Sequence, residues 1–187
     1  MNRIGSSREL ASLAEELRSR RDESHTYIQL CAGTGCLACG CREVVEAFRR
    51  KIRQEGLEQV VHIKTTGCHG FCERGPLCVI HPRKLFYQRL TPADVDLVVD
   101  QTIKHGQIVP RLLYQDPVTK ARIEREDEIP FYRKQVRLVL GKNGLMDPTS
   151  LEGYISLGGY AATARALTDM SPEEIVEEIK ASGLRGR

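Results

Sequence analysis

The residues of this chain best suited to chemistry are two pairs of cysteines in glycine-rich settings: Cys31-Ala-Gly-Thr-Gly-Cys36, and Thr66-Gly67-Cys68-His69-Gly70-Phe71-Cys72-Glu73-Arg74-Gly75-Pro76. Four thiolates from two such loops can surround a metal centre with tetrahedral sulfur, and glycine lets the backbone turn tightly enough to aim its amides at sulfur. The pattern therefore points to iron-sulfur or zinc. Spacing alone leaves both open. The x4 interval from Cys31 to Cys36 accommodates a 2Fe-2S cluster, whereas Cys36-x2-Cys39 with Cys68-x3-Cys72 would make a four-thiolate zinc site with Cys31 spare. Thiol-disulfide exchange at Cys36-x2-Cys39 is a third use, and it leaves Cys68 and Cys72 unexplained.

The chain has seven cysteines, so they cannot all pair as disulfides within one copy. Cys39, Cys41 and Cys78 stand outside the two pairs and read as packing or surface thiols. His69 follows a candidate ligand and could hydrogen-bond a sulfur or couple its reduction to a proton. His25, His62, His81 and His105 are scattered and carry no signal. Gly33-x-Gly35 lacks the third glycine and the helix-opening context of a dinucleotide motif. No Ser/His/Asp or Cys/His catalytic constellation is suggested by spacing, and no catalytic residue is assigned.

Composition excludes several classes. Lys and Arg number 28 against 25 Asp and Glu in 187 residues, for a formal charge of +3, and the signs are interleaved instead of clustered. With no Trp and few aromatics, neither a nucleic-acid surface nor a base-stacking platform is expected. No run approaches the roughly 20 apolar residues of a membrane span, and no secretory signal follows Met1. The thiols suit a reducing compartment, so a cytoplasmic location is expected.

The elements that would position the cysteines follow from periodicity. Ser6-Ser7-Arg8-Glu9 opens a helix through Leu10, Leu13, Ala14 and Leu17. Thr26–Leu30 is a buried strand that delivers Cys31. Val44, Val45, Phe48 and Ile52 stripe a second helix ending near Gly56, and Gln59–Thr65 is a strand that delivers the second pair. Leu77–Ile80 and Leu85–Tyr87 form a hairpin, and Thr91-Pro92-Ala93-Asp94 starts a helix through Val95, Val98, Val99 and Ile103. This is an α/β sandwich with both cysteine loops at one edge of the sheet. Beyond it, residues 110–130 read as a charged connector, Gln135–Leu140 as a strand, and Asp147-Pro148 as the start of a helix broken by Gly158-Gly159. A short Ala-rich helix runs to about Thr168, and Ser171-Pro172-Glu173-Glu174 caps a last one. This second part has too few apolar residues to close a core by itself.

Cys-x4-Cys followed by Cys-x3-Cys, with Thr66-Gly67 before Cys68 and Glu73-Arg74-Gly75-Pro76 after Cys72, resembles the thioredoxin-like 2Fe-2S ferredoxin family. That resemblance makes Cys31, Cys36, Cys68 and Cys72 the ligands of one 2Fe-2S cluster. Arg111-Leu112-Leu113-Tyr114, Glu128-Ile129-Pro130-Phe131-Tyr132, Gly158-Gly159-Tyr160, Leu167-Thr168 and Gly183–Arg187 are similar to the start of the NADH-binding flavoproteins of respiratory complex I. The organisation implied is an N-terminal helix at 1–24, a ferredoxin domain at 25–106, a connector at 107–130, and at 131–187 the incomplete N-terminal segment of an FMN/NADH-binding domain.

A ferredoxin domain ahead of such a flavoprotein resembles the diaphorase subunit of NAD(P)-linked, electron-bifurcating iron-only hydrogenases. The implied function is electron transfer between FMN/NADH and partner iron-sulfur clusters, with NADH-quinone oxidoreductase and NAD-dependent formate dehydrogenase as alternatives. A structural zinc docking module is the rival from another class. The implied partners are a small 2Fe-2S subunit and a catalytic iron-sulfur subunit. FMN, NAD(H) and 4Fe-4S clusters are implied only for a longer protein, of which Gly186 and Arg187 would form the edge of the FMN loop.

Overall fold

The computed structural model describes residues 4–20 and 26–186, which divide into two compact units: 26–149, and 4–20 with 150–186. The first unit is built on a four-stranded sheet in the order β2-β1-β3-β4. Its strands are β1 (Thr26–Cys31), β2 (Val61–Thr66), β3 (Cys78–His81) and β4 (Leu85–Tyr87). β1 and β2 are parallel, with Cys31 level with Thr66; β3 runs antiparallel to both β1 and β4. A parallel pair needs a crossover, and α3 (Cys41–Gln54) supplies it after the short α2 (Thr34–Ala38). Val44, Val45, Phe48 and Ile52 of α3 are buried against the sheet together with Ile28, Leu30, Val79 and Phe86.

The helix expected after Thr91 forms in three consecutive pieces: a 3-10 turn Pro92–Asp94, α4 (Val95–Leu97) and a π-helical stretch Val98–Ile103. Thr91 and Asp94 close a capping box at its start. In the wide π turn Thr102 reaches the Tyr87 hydroxyl at 2.8 Å, and that hydroxyl also accepts from the Val109 amide. The polar end of a fully buried tyrosine is thus satisfied.

Several expectations for residues 107–149 are corrected. The stretch read as a connector is packed: Val109, Leu112, Leu113, Tyr114 and Ile129 are buried in the same core. It contains a small hairpin, β5 (Tyr114–Gln115) with β6 (Arg122–Ile123). Residues 124–126 then run along the open edge of β4, with Phe86 donating its amide to Glu124 and Glu126 donating to Lys84. That edge needed partners for its backbone groups, and these residues provide them.

The strand expected at Gln135–Leu140 is absent. After α5 (Pro130–Arg133) the chain bends without regular pairing, because its alternating apolar residues meet no sheet edge. From 143 to 147 it crosses the parallel pair as a strap, held by Gln29 Nε2 on the Gly144 carbonyl at 2.6 Å and by Thr65 on Asp147 at 2.6 Å.

The second unit holds α1 (Ser7–Ser19), α6 (Leu151–Ser156), α7 (Ala161–Thr168) and α8 (Pro172–Ala181). Ser6 caps α1 as expected, although Glu9 reaches back to the Gly5 amide. α6 starts at Leu151 behind the Ser150 cap, three residues later than Pro148, because Asp147 is engaged in bonds to Thr65 and Thr149. Ser171 and Glu174 form the expected capping box of α8. Among its described residues only Leu17, Ile155, Ser156 and Gly159 are buried, in keeping with the shortage of apolar residues. Among the described residues no helix is long and apolar enough to cross a membrane.

Candidate metal centre

The two parallel strands end side by side, and each delivers one cysteine loop. The ladder continues for one bond past the strands, with the Ala32 amide donating to the Thr66 carbonyl at 2.8 Å. The loops therefore lie at the C-terminal ends of β1 and β2 and not along a lateral edge of the sheet. Cys31 closes β1 and is buried, as is Cys36 on α2, a helix where the glycine spacing had suggested only a loop. Cys68 is half-buried and Cys72 is exposed, their sulfurs 3.7 Å apart.

Three glycines are the places where the loops touch. A Cβ on Gly33 would stand 2.8 Å from Cβ of Cys68 and 3.3 Å from its sulfur, and one on Gly35 would stand 3.0 Å from the sulfur of Cys72. A Cβ on Gly75 would stand 2.8 Å from the sulfur of Cys36. Each loop thus leaves, by lacking a side chain, the space into which the other loop's sulfurs point.

Backbone amides face those sulfurs. Gly70 donates to Cys68 at 3.2 Å, the amides of Gly33 and His69 reach Cys31, and that of Leu77 reaches Cys36. A hydrogen bond from the Cys36 thiol holds Cys31 down to about 5, helped by those amides and opposed by burial; the same shared proton pushes Cys36 up. Cys72 is likewise raised, first by its bond with Cys68. Cys31 and Cys36 thus behave as two sulfurs around one proton, a proton that metal coordination would displace.

Among the described residues no three His, Cys, Asp or Glu side chains gather as around one metal ion. The thiols form two pairs, which suits two metal atoms, one per pair, better than a single tetrahedral ion. The zinc set required Cys39 and left Cys31 spare. Here Cys39 is exposed, whereas Cys31 and Cys36 are both buried, and the Cys36 thiol acts on Cys31.

Cys41 and Cys78 are buried, as expected of packing thiols. Cys41 donates to the Cys31 carbonyl at 3.0 Å and is pushed up to about 11 by burial. Desolvation in the core raises Cys78 as well.

His69 serves the site by its backbone. Its ring is buried and turned into a polar network with Gln29 and Thr66, each at 3.0 Å, and Glu126 at 2.9 Å. Sequence reasoning missed Gln29, which sits in an apolar strand, and Glu126, 57 residues from its partner. It also missed the aromatic anchor of the second loop. Phe71, one residue before Cys72, stacks on Phe131 at 4.3 Å and meets Tyr132 edge-on at 5.7 Å. Gly186 is exposed with nothing within 4 Å of its Cβ position, and Arg187 lies outside the described residues.

A parallel pair flanked by a hairpin, with cysteine loops where the parallel strands end, defines an iron-sulfur protein of thioredoxin-like build. The model of the thioredoxin-like 2Fe-2S ferredoxin family matches residues 16–103. The 2Fe-2S ferredoxin of Clostridium pasteurianum is 34% identical over 77 residues, covering 41% of this chain and 76% of that protein. The chain belongs to this family, and its cofactor is a 2Fe-2S cluster. It is also 47% identical over 55 residues to the HndC protein of the NADP-reducing hydrogenase of Solidesulfovibrio fructosivorans, covering 29% of this chain and 11% of that one. To one of the NADH-quinone oxidoreductase subunits of Escherichia coli strain K12 it is 48% identical over 40 residues, covering 21% of this chain and 9% of that one.

Proposed function

We propose that Cys31, Cys36, Cys68 and Cys72 hold the 2Fe-2S cluster and that the chain is the electron-transfer part of a multisubunit NAD(P)H-linked oxidoreductase. The observation that carries the ligand assignment is the convergence of two sulfur pairs across Gly33, Gly35 and Gly75, with amides directed at the sulfurs. The cluster supplies one-electron transfer when bound. The chain supplies four thiolates, amide donors that stabilise charge on sulfur, and a core that keeps water from Cys31 and Cys36.

The likeness to proteins of an NADP-reducing hydrogenase and of an NADH-quinone oxidoreductase supports a place beside a flavin that accepts hydride from NAD(P)H. An electron-bifurcating hydrogenase is the setting we favour, with a small 2Fe-2S subunit and a catalytic iron-sulfur subunit as partners, in the cytoplasm. Gly186 and Arg187 would then border the FMN site of the longer protein.

Anaerobic purification followed by metal analysis and spin resonance of the reduced protein tests the ligand set. Two irons per chain and a 2Fe-2S signal lost or strongly altered in each of the four Cys→Ser variants, but normal in Cys39→Ser and Cys78→Ser, are expected. One zinc without iron, or a normal signal in Cys31→Ser, would overturn it. The wider role predicts NADH-dependent dye reduction, carried through the cluster, by the chain assembled with its flavin-binding partner domain.

A further inference from the structure

The backbone around the outer cysteine pair has wide freedom of its own. Gly67 and Gly70, the latter at φ +86°, bracket Cys68 and His69. Two side chains remove that freedom: Phe71, stacked on Phe131, and His69, whose ring is buried.

The hydrogen-bond roles around the His69 ring follow from its neighbours. Gln29 donates through Nε2 to the Gly144 carbonyl at 2.6 Å, so the atom 3.0 Å from His69 Nε2 is an amide nitrogen with a second hydrogen to give. His69 Nε2 is therefore an acceptor, and the Thr66 hydroxyl stands 3.0 Å from the same nitrogen. The ring hydrogen is then on Nδ1, which donates to the Glu126 carboxylate at 2.9 Å.

These partners come from different elements. Gln29 lies on β1, and Glu126 begins the turn after β6, its own amide on the Lys84 carbonyl. The ring is thus held from β1 at one nitrogen and from the segment along β4 at the other. A buried ring in need of one partner has Thr66 three residues away; the bonds to Gln29 and Glu126, 40 and 57 residues away, add restraint. The residue so restrained is also the one whose backbone amide reaches the sulfur of Cys31.

We propose that Gln29 and Glu126 are positioning residues for the cluster: by clamping the His69 ring they hold its backbone amide on the sulfur of Cys31 and so raise the reduction potential. The proposal deepens the ligand assignment above and rests on it. An amide donor stabilises the negative charge that reduction adds at the sulfurs. A carboxylate acting through its field alone would disfavour the added electron. The two roles of Glu126 therefore differ in sign.

A redox titration of the iron-loaded full chain, followed by spin resonance, separates them. At the parent's midpoint potential, Glu126→Ala should lower the ratio of reduced to oxidised cluster at least about threefold, although a negative charge has been removed. Glu126→Gln keeps an acceptor for the Nδ1 hydrogen, and its ratio should not fall below the parent's. Gln29→Leu should lower the ratio about twofold, since Thr66 still faces Nε2. His69→Ala should lower it as Glu126→Ala does, and in that background Glu126→Ala should bring no further fall, because the carboxylate acts through the ring.

A rise in both Glu126 variants would show a field effect alone, and two irons per chain with every ratio at the parent's value would show a network that serves stability only. Either result overturns the proposal and leaves the four-cysteine assignment standing. Where Glu126→Ala takes up no iron, Gln29→Leu carries the test, and a parent-like ratio there overturns the proposal. A parent chain without iron, or a normal signal in Cys31→Ser, overturns the ligand assignment and the proposal with it.

Discussion

Cys31 and Cys36 are buried in the core, whereas Cys68 is half-buried and Cys72 lies at the surface. The inner sulfurs come from a strand end and a short helix roofed by Leu77 and Gly75, and the outer ones from a loop pinned by Phe71 and the ring of His69. The same residue type thus performs two tasks. The inner pair is part of the packing that makes the unit fold, and the outer pair is the side of the site that meets solvent.

The largest effect expected from this contrast is at Cys36. Cys36→Ser should remove the visible absorption of the cluster and lower thermal stability, since a hydroxyl is left buried where a metal bond belonged. Cys72→Ser should keep a cluster with an altered spin-resonance signal and near-parent stability, because an exposed hydroxyl is hydrated. Equal loss in both variants would break the comparison.

Gly75→Ala comes next. Its Cβ would sit 2.8 Å from the sulfur of Cys36, and forcing such a contact costs about 1–3 kcal/mol, so iron content after purification should fall. Gly56→Ala is the control. That glycine has φ +66° but open space around it, so about 1 kcal/mol of stability should be lost by denaturant titration with iron content unchanged.

His69→Ala should destabilise by about 1–3 kcal/mol by leaving Gln29, Thr66 and Glu126 without their buried partner. Its backbone amide remains on Cys31, so the cluster should still assemble. Loss of the cluster in His69→Ala at full stability would show that the ring acts on the site directly. Smallest of all, Val139→Ser should shift the denaturation midpoint by less than about 0.5 kcal/mol equivalent, since that side chain is 92% exposed.

Much of this site was legible in local signals. Cysteine spacing, the glycines among them and the period-two strands before each loop placed the four thiols and the order of elements, because these depend on neighbours a few residues apart. The residues that complete the site were not legible. Gln29 looks like an interruption of an apolar strand until Gly144 and His69 are folded against it, and Phe131 belongs to the loop of Phe71 only through a contact spanning 60 residues of chain. Residues 135–140 failed for the converse reason: their alternation satisfies a strand's pattern, but a strand also needs a neighbour with free backbone groups.

By itself the sequence determined that thiols in two glycine-rich loops are the metal-binding chemistry on offer, and it determined the strand-helix-strand order, the hairpin and the capped helices, since residue type and short-range periodicity decide them. Only the tertiary structure decided which sulfurs are inside and which outside, that the charged stretch after Gly106 packs along β4, and that the strap sets the Gly144 carbonyl on Gln29, the partner of His69. Those outcomes depend on which backbone edges and buried polar groups remain unsatisfied once the sheet has formed, and the fold meets those needs with residues distant in the chain.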